Sequence, residues 1–432
     1  IDRGLVGSEM CIRDRLTYYW PPAGGSGVQR WLRFSNELVK LGHDIHVFTF
    51  KNPKYPIVDS ELLKNVDSKL KVNFISGFEL PNFLNLRSSK PSESYGLTSS
   101  KTDISLNYII SNFILLIREL FFFPDTRKYL ISPSIKYISN YNKKNQLDCL
   151  ITSGPPHSLH YVGERLKKND GIKWISDFRD PWSNFFQNKL LNKFKSTQKK
   201  HKQKEIEIVK SSDAILTTSE SLKAQFKSIN KNSYCIHSGF NKLISPKPHN
   251  KFRILYTGSL KSIQNPKMLW TVIKDFIDTD SSFKELVEIV LIGNIDFEIL
   301  QTKEFKNLEN RKIISYMSQK DLNKEICISE ILIVCSVNVK GCDDIVPGKF
   351  FHYLSSGKKI LGISNKGSDL EKIIVETKSG MSFSYDNYQD LKNYIYKCFS
   401  DYKDGKVNSQ KTNNKFLSSN ITIKIDEIIS KL

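Results

Sequence analysis

The sequence lacks the features that mark a disulfide-stapled, metal-scaffolded or membrane-spanning protein. Its seven cysteines are scattered without paired spacing, which argues against a disulfide framework and a zinc site and is typical of a reducing cytoplasm. No apolar run reaches the length of a membrane span without a charge, and the nearest candidate, residues 106–123, contains Arg118 and Glu119. We therefore expect a cytoplasmic protein without a bound metal.

Acidic residues are outnumbered, and arginine is scarce among the basic ones. Lys and Arg number 65 against 45 Asp and Glu, so the formal net charge is +20. Such a charge attracts anions, among them nucleotide-sugars, phospholipid head groups and nucleic acid. We find no helix-turn-helix, zinc-finger or aromatic-basic RNA-binding signature, so nucleic acid is not an expected partner. The lysines of residues 193–210 are most simply the solvated face of a helix.

Short apolar runs alternate with helical patterns along the chain, which predicts parallel α/β units. The length of 432 residues suffices for two or three domains, each with its own core. In the first half we predict strands at residues 16–19, 45–49, 72–75, 149–152, 174–177, 214–217 and 234–237. In the second half we predict strands at residues 253–256, 287–292, 313–316, 331–335, 360–363 and 381–384.

These patterns divide the chain into two Rossmann-like, doubly wound domains, with ligand sites expected at the carboxyl ends of their strands. The run of residues 9–15 resembles translated sequencing-adapter DNA of the kind found in metagenomic assemblies, so the first fifteen residues are predicted to be non-native. The alternative is a natural N-terminal tail without regular structure. The predicted parts are a non-native segment 1–15, an N-terminal domain 16–240, a linker 241–251, a C-terminal domain 252–410 and a final helix within 411–432 that returns to the N-terminal domain.

A glycine-rich turn follows the first predicted strand and opens a helical pattern. Its residues Gly24, Gly25, Ser26 and Gly27 let the backbone approach a ligand closely, and the first N–H groups of the helix point outward. This arrangement predicts a phosphate-binding loop.

The second half contains three further loops of this kind. The first holds Gly258, Ser259 and Lys261, and a lysine there can neutralise a diphosphate as a point charge. Lys349 opens a helical pattern that ends at Gly357. The third loop contains Gly367, Ser368 and Asp369 at another turn into a helix. We predict that these loops surround one pocket.

Two polar clusters end predicted strands in the first half. His157 follows a sharp turn, where it could orient a hydroxyl or act as a base; nearby His160 is more simply a packed histidine. Asp177, Arg179 and Asp180 place two carboxylates around an arginine, which is costly to bury unless paired or ligand-bound. For Asp177 we favour a functional role, and for Asp180 a structural network is an equal alternative.

Together these motifs resemble the family-4 retaining glycosyltransferases of the two-domain GT-B type, in particular the bacterial branch that assembles cell-surface polysaccharide. The matching segments are residues 21–30, 123–125, 153–160, 177–182 and 347–357. They occur in the family's order along nearly the whole chain from residue 16 onward. This agreement is far more specific than any single glycine loop.

The resemblance implies transfer of a sugar from a nucleotide-diphosphate-sugar to a hydroxyl of a glycan or lipid-linked acceptor, with retention at the anomeric carbon and without metal or cofactor. It implies the catalytic residues His157, Asp177 and Asp344, and the acceptor-side residues Arg179 and Asp180. It implies donor binding by Gly24, Gly25, Ser26, Gly27, Gly258, Ser259, Lys261, Lys349, His352, Gly367, Ser368 and Asp369. The two domains would face each other across a cleft that closes to exclude water.

The chain departs from the family at one pair of positions. The family usually carries two glutamates eight residues apart, and here the first position is Asp344 and the second is His352. Aspartate keeps the carboxylate with one methylene fewer. Imidazole can bond ribose hydroxyls but cannot accept two of them as a carboxylate can. The departure implies altered donor affinity or lost activity.

Several alternatives stay open at this point. A nucleotide-sugar 2-epimerase has the same fold and needs no acceptor, and the histidine at 352 is also compatible with a non-catalytic nucleotide-sugar-binding subunit. Residues 106–123 fit a helix at a membrane-facing edge, which with the basic charge would allow peripheral contact with the anionic inner face of the cytoplasmic membrane. An ordinary core helix explains the same residues slightly better.

Overall fold

The structure, a computed structural model, describes residues 12–79, 116, 119, 121–185, 194–315, 317–339, 341–406 and 413–432. The described residues up to His237, together with Ser418–Leu432, form one compact unit, and those of Ser238–Leu417 form a second. Both units contain a parallel sheet with helices on its faces, which confirms the predicted class of two Rossmann-like domains. Residues 106–123, predicted as a helix, lie mostly outside the described residues.

Within the described residues, the sheet of unit 1 has seven parallel strands. They are β1 Ile12–Leu16, β2 Asp44–Phe50, β3 Lys71–Ile75, β4 Cys149–Gly154, β5 Lys173–Phe178, β6 Ala214–Thr217 and β7 Ser233–Cys235. Their order across the sheet is β3-β2-β1-β4-β5-β6-β7. The helices that connect them are α1 Ser26–Lys40, α2 Ile131–Asn145, α3 Ser158–Asp170, α4 Lys195–Ser211 and α5 Glu220–Lys227.

The sheet of unit 2 has six parallel strands among the described residues. They are β8 Phe252–Thr257, β9 Val287–Ile292, β10 Arg311–Ile314, β11 Ile331–Cys335, β12 Lys359–Ile363 and β13 Gly380–Phe383, in the order β10-β9-β8-β11-β12-β13. Its helices are α6 Lys267–Thr279, α7 Ser281–Leu286, α8 Phe297–Gln301, α9 Lys303–Lys306, α10 Gln319–Cys327, α11 Lys349–Leu354, α12 Asp369–Thr377 and α13 Tyr388–Lys403.

The sheet of unit 2 is apolar on both faces because helices cover each of them. All five residues of β11 are buried, as expected for a central parallel strand. Trp270 of α6 and Phe399 of α13 belong to the core on one face. Phe350 of α11 and Ile373 of α12 belong to the core on the other. The carboxyl ends of β8, β11 and β12, which are neighbours in the sheet, therefore lead into loops at one edge.

The last helix, α14 Ser418–Ser430, belongs to unit 1 although the chain has passed through unit 2 before reaching it. Its Ile421 and Ile425 pack with Trp31 and Phe34 of α1 in one buried cluster. None of the helices in the described parts of the chain is both long and apolar enough to cross a membrane.

The first strand corrects the sequence prediction. Of the predicted strand at residues 16–19, only Leu16 lies in a strand; β1 is Ile12–Leu16, paired with β2 and β4 in the middle of the sheet. It therefore buries Asp14 and Arg15. A search for apolar runs does not predict a strand at such charged residues. Burial raises the pKa of Asp14 to about 6, while His46, whose Nδ1 lies 3.2 Å from Asp14 Oδ1, lowers it. The sheet thus includes part of the segment predicted to be non-native.

Candidate functional site

The glycine loop of unit 1 lies between β1 and α1 and is held by backbone hydrogen bonds. Gly24 N donates to Ile57 O at 2.9 Å. Gly25 has a φ of 91°, a conformation that favours glycine, and it immediately precedes α1. A Cβ on Gly27 would lie 2.1 Å from Nη1 of Arg179. Glycine at 27 is therefore required for the Arg179 guanidinium to lie against the first turn of α1.

Arg179 and the start of α1 together form an anion-attracting surface in unit 1. The first turn of α1 contains no acidic residue, and the first N–H groups of a helix carry partial positive charge. The Arg179 guanidinium is 5.6 Å from the centre of the Tyr19 ring, and its Nε lies 3.4 Å from Asp180 Oδ2. Both side chains remain partly exposed. The structure thus brings the glycine loop and Arg179 together; of the Ser26 side chain nothing is described.

Asp177 is completely buried, and all its hydrogen bonds come from the protein. Its carboxylate accepts from Arg30 Nη1 at 2.7 Å, from Trp31 Nε1 at 2.6 Å and from Ser153 Oγ at 2.7 Å. Burial alone would raise the pKa of Asp177, but the Arg30 charge and these hydrogen bonds outweigh it and lower the pKa. This geometry gives the carboxylate a structural role between β5 and α1 and does not support the predicted catalytic one.

His157 lies just before α3 and is buried against aromatic rings. Its imidazole stacks on Trp182, with ring centres 4.8 Å apart and planes 5° apart. Its Nδ1 has no hydrogen-bond partner among the described residues. Burial lowers the pKa of His157 well below its ordinary value, and nearby positive charges act in the same direction. The histidine is therefore neutral near pH 7, and its lowered pKa makes it a weaker base than an ordinary histidine.

Two further polar residues, His160 and Asp125, lie around the start of α3. His160 Nδ1 lies 2.9 Å from Thr152 Oγ1, and burial lowers the pKa of His160 to about 3 despite the nearby Asp177. This agrees with the simpler interpretation of His160 as a packed histidine. Asp125, recognised only as part of a motif, accepts a hydrogen bond from Ser158 N at 2.8 Å and so caps the start of α3.

In unit 2, Lys349 at the start of α11 lies over the ring of Tyr256 and beside Gly258. Its Nζ is 3.7 Å from the centre of the Tyr256 ring, and a Cβ on Gly258 would lie 3.4 Å from it. The structure records no carboxylate or hydrogen-bond partner for this ammonium among the described residues. Burial lowers the pKa of Lys349 to about 7, while Cys335 raises it. A cation at the carboxyl end of a central strand, with no anion beside it, is a candidate phosphate ligand.

Tyr353 fixes the position of α11, and sequence reasoning missed it. Its hydroxyl accepts from Thr257 N at 2.7 Å and donates to Thr257 Oγ1 at 2.9 Å. This ties the helix that carries Lys349 to the end of β8. The aromatic residues of α11 and of the end of β8 are visible in the sequence. That Tyr353 bonds to Thr257 follows only from the fold.

Lys261 is engaged elsewhere. Its Nζ lies 3.2 Å from Asp296 Oδ1, and the backbone N–H of Ser262 donates to the other oxygen of Asp296 at 2.9 Å. Ser259 is exposed beside Gly258. Lys261, predicted from the sequence to neutralise a diphosphate, is thus already paired with the carboxylate of Asp296, whereas Lys349 has no carboxylate partner among the described residues.

The pair that departs from the family pattern is partly exposed. His352 Nε2 lies 2.6 Å from Asn323 Oδ1; because an amide oxygen only accepts, His352 donates here. Asp344 is half-buried in the loop before α11. The loop before α11 contacts the loop before α12: the backbone carbonyl of Asp343 accepts a hydrogen bond from Asp369 N at 2.8 Å.

The polar groups of the loop at Gly367, Ser368 and Asp369 bond mostly to neighbouring residues. Ser368 Oγ accepts from Glu371 N at 3.2 Å and so caps α12, and the Glu371 carboxylate accepts from Gly367 N. Asp369 is buried and pairs with Lys372 at 3.2 Å. The loops that contain Gly258, Lys349 and Ser368 follow β8, β11 and β12, which are neighbours in the sheet, and the single pocket that they would surround stays a prediction.

Comparisons with known proteins come from structure alone. No protein-family model matches the chain, and no curated protein matches its sequence. Sucrose-phosphate synthase from Thermosynechococcus elongatus superposes with a TM-score of 0.65 at 12% identity, over 98% of each chain. The lipopolysaccharide outer core galactosyltransferase WaaB gives 0.55 at 13% identity, over 98% of this chain and 100% of its own. The chain has the GT-B fold.

The same fold also occurs in a second class of enzyme. A putative UDP-N-acetylglucosamine 2-epimerase from Listeria monocytogenes gives a TM-score of 0.55 at 9% identity, over 97% of this chain and 96% of its own. The neighbours are mostly glycosyltransferases, with 2-epimerases also present. At such identities the likeness establishes the fold, and function has to be argued from the site.

Proposed function

We propose that this GT-B protein is a glycosyltransferase that moves a sugar from a nucleotide-diphosphate-sugar to a hydroxyl of a glycan or lipid-linked acceptor, with retention of configuration. We place it in the cytoplasm, with peripheral contact to the inner face of the membrane, in the assembly of cell-surface polysaccharide. The observation that carries the proposal is Lys349, an ammonium held over Tyr256 and beside Gly258 without a carboxylate partner among the described residues.

Lys349 suits the chemistry of the donor. When the bond between the anomeric carbon and the diphosphate oxygen breaks, negative charge grows on the leaving phosphate. An ammonium already positioned at that oxygen stabilises the transition state more than the ground state, which is the condition for catalysis. The glycine at 258, with its exposed backbone and φ of 91°, allows a phosphate to approach the end of β8 closely.

Unit 1 supplies groups suited to an acceptor or to a second anionic group. Arg179 and the start of α1 offer a guanidinium and free helical N–H groups, and Asp180 offers a partly exposed carboxylate. Neutral His157 is the candidate base near these groups. Asp177 is assigned to holding Arg30, Trp31 and Ser153, and Asp344 is kept as the candidate carboxylate near the donor sugar.

The test is calorimetric titration with UDP, GDP and their common sugar conjugates. Lys349→Met should weaken the selective micromolar binding of one conjugate about tenfold at pH 6, whereas Lys324→Met, at an exposed lysine paired with Asp321 in the same unit, should leave it unchanged. Adding Mg²⁺ or Mn²⁺ should leave the transfer rate unchanged. A folded protein that binds no member of the panel would refute a donor site at Lys349.

A 2-epimerase is the second candidate, supported by the neighbours of that class and by His352 in place of a glutamate. The two functions differ in their need for an acceptor. An epimerase inverts the sugar carbon next to the anomeric centre in the donor alone, whereas a transferase releases nucleoside diphosphate only when an acceptor is present. Binding without either turnover would identify a non-catalytic binding subunit.

A further inference from the structure

Three side chains of metal-binding type converge in unit 1, near the buried Arg30–Asp177 pair. Glu220 begins α5, Cys235 ends β7, and His237 is the last residue of unit 1 before the chain enters unit 2. One ligand atom from each of the three lies within 4.8 Å of the other two. The proposed transfer reaction gives none of them a role.

The separation between sulfur and nitrogen matches a shared zinc ion. Cys235 Sγ lies 3.7 Å from His237 Nε2 and 3.8 Å from Nδ1. With Zn–S of about 2.3 Å and Zn–N of about 2.0–2.1 Å, tetrahedral ligands stand about 3.6 Å apart. The Sγ–Nε2 distance is therefore close to that between two ligands of one zinc ion, but the sulfur lies almost equally far from both ring nitrogens, so zinc binding requires the Cys235 side chain or the ring to move until the sulfur faces Nε2.

The histidine is held in the tautomer that such a site needs. His237 Nδ1 lies 3.0 Å from the carbonyl oxygen of Thr218. Because a carbonyl only accepts, Nδ1 carries the proton and Nε2 carries the lone pair. Metal-ligating histidines in proteins almost always donate their other ring N–H to a carbonyl, a carboxylate or water. The hydrogen bond to the Thr218 carbonyl thus fixes the tautomer of His237, as such partners do for histidines in known metal sites.

We propose that Cys235 Sγ, His237 Nε2 and a carboxylate oxygen of Glu220 bind one zinc ion, with water in the fourth position. Sulfur, imidazole and carboxylate together favour zinc over magnesium or calcium. On binding, the Cys235 thiol releases its proton to solvent, and the thiolate and the Glu220 carboxylate balance the two charges of the ion. Glu220 also accepts from Lys223 Nζ at 2.5 Å, so its other oxygen is assigned to the metal.

The zinc ion would stabilise the edge strand β7 of unit 1. β7 has only three residues and is the edge strand of its sheet. Ile236 lies between Cys235 and His237, and its carbonyl accepts a hydrogen bond from Arg30 Nη2 at 2.9 Å. Arg30 also donates to Asp177. Zinc would therefore hold the start of α5 to the end of β7, next to the buried ion pair of the unit.

The experiment titrates the full chain, freed of metal, with Co²⁺ as a spectroscopic probe and then with Zn²⁺ in competition. We expect one Co²⁺ per chain, with a thiolate-to-cobalt charge-transfer band, and its displacement by Zn²⁺. Cys235→Ser should remove the band, and His237→Gln should weaken binding at least about a hundredfold. Cys327→Ser and His249→Gln, which change a cysteine and a histidine outside the site, should bind as the unaltered chain does.

Further measurements keep the result interpretable if a variant is unstable. Glu220→Gln changes an exposed side chain and should also weaken Zn²⁺ binding while the circular dichroism spectrum is unchanged. Zn²⁺ should raise the midpoint of thermal unfolding of the unaltered chain but not of Cys235→Ser. Cobalt bound without a thiolate band, or equal affinity in Cys235→Ser, would overturn the proposal. Nucleotide-sugar binding by the zinc-free chain is expected to persist, so the two proposals stand or fall separately.

Discussion

Raising the pH from 6 to 8 should weaken the binding of a nucleotide-sugar to unit 2 through Lys349. Burial lowers the pKa of this lysine to about 7, and a bound diphosphate favours its charged form. If only the charged lysine binds tightly, the apparent dissociation constant scales with one plus the ratio of neutral to charged lysine. That factor is about 1.1 at pH 6 and about 11 at pH 8, so affinity should fall about tenfold.

The assay is calorimetry with the nucleotide-sugar that binds best, since its diphosphate diester does not titrate in this range. Lys349→Met should bind weakly at pH 6 and show no slope, so that its affinity approaches that of the unaltered chain at pH 8. Lys324→Met, at an exposed lysine paired with Asp321, should keep the full slope. A flat profile for the unaltered chain, or the same slope in Lys349→Met, would refute the assignment of Lys349 to the phosphate.

Three further predictions concern the framework of unit 1. Asp177→Asn should lower the free energy of unfolding by about 3–5 kcal/mol in chemical denaturation, because it leaves the buried Arg30 without its counter-charge; Asp180→Asn, at a partly exposed pair, should change it little. Asp14→Asn should raise stability by about 2–3 kcal/mol at pH 7. Since the pKa of Asp14 is about 6 when folded and near 3.8 when unfolded, this gain should shrink as the pH falls from 6 and be absent below 3.8; a gain that persists at pH 3.5 would contradict it. Gly27→Ala should displace Arg179 and weaken binding of anions at the start of α1 with little loss of secondary structure, as circular dichroism would show; unchanged anion affinity would exclude that surface as a site.

Strands were predictable where apolar residues run without interruption. Val287–Ile292 and Ile331–Cys335 have the predicted bounds because parallel strands buried on both faces require such runs. The prediction failed at Ile12–Leu16, since Asp14 and Arg15 break the apolar pattern there. Pairing with β2 and β4 determines which residues enter the sheet at that position, and that information lies far away in the sequence.

At the candidate site, local signals were readable and long-range ones were not. The glycine loop before α1 and the turn into α12 at Ser368 are signalled by neighbouring residues, and both helices begin where predicted. The role of Asp177 depends on Arg30, which is 147 positions away. Likewise, the sequence does not reveal that Lys261 faces Asp296 while Lys349 lies over the ring of Tyr256. Which of several candidate charges is available to a ligand is decided by the tertiary fold.

The return of α14 to unit 1 has a consequence for the order of folding during synthesis. Unit 2 can complete its core once residue 417 has left the ribosome, whereas the cluster that contains Trp31 and Phe34 of α1 lacks its α14 side chains until residues 418–430 follow. Domains emerging earlier generally fold first, and exposed apolar surface favours aggregation in the interval. In this chain the first unit to be made is thus the last to be finished, and the cluster around Trp31 and Phe34 stays incomplete throughout the synthesis of unit 2.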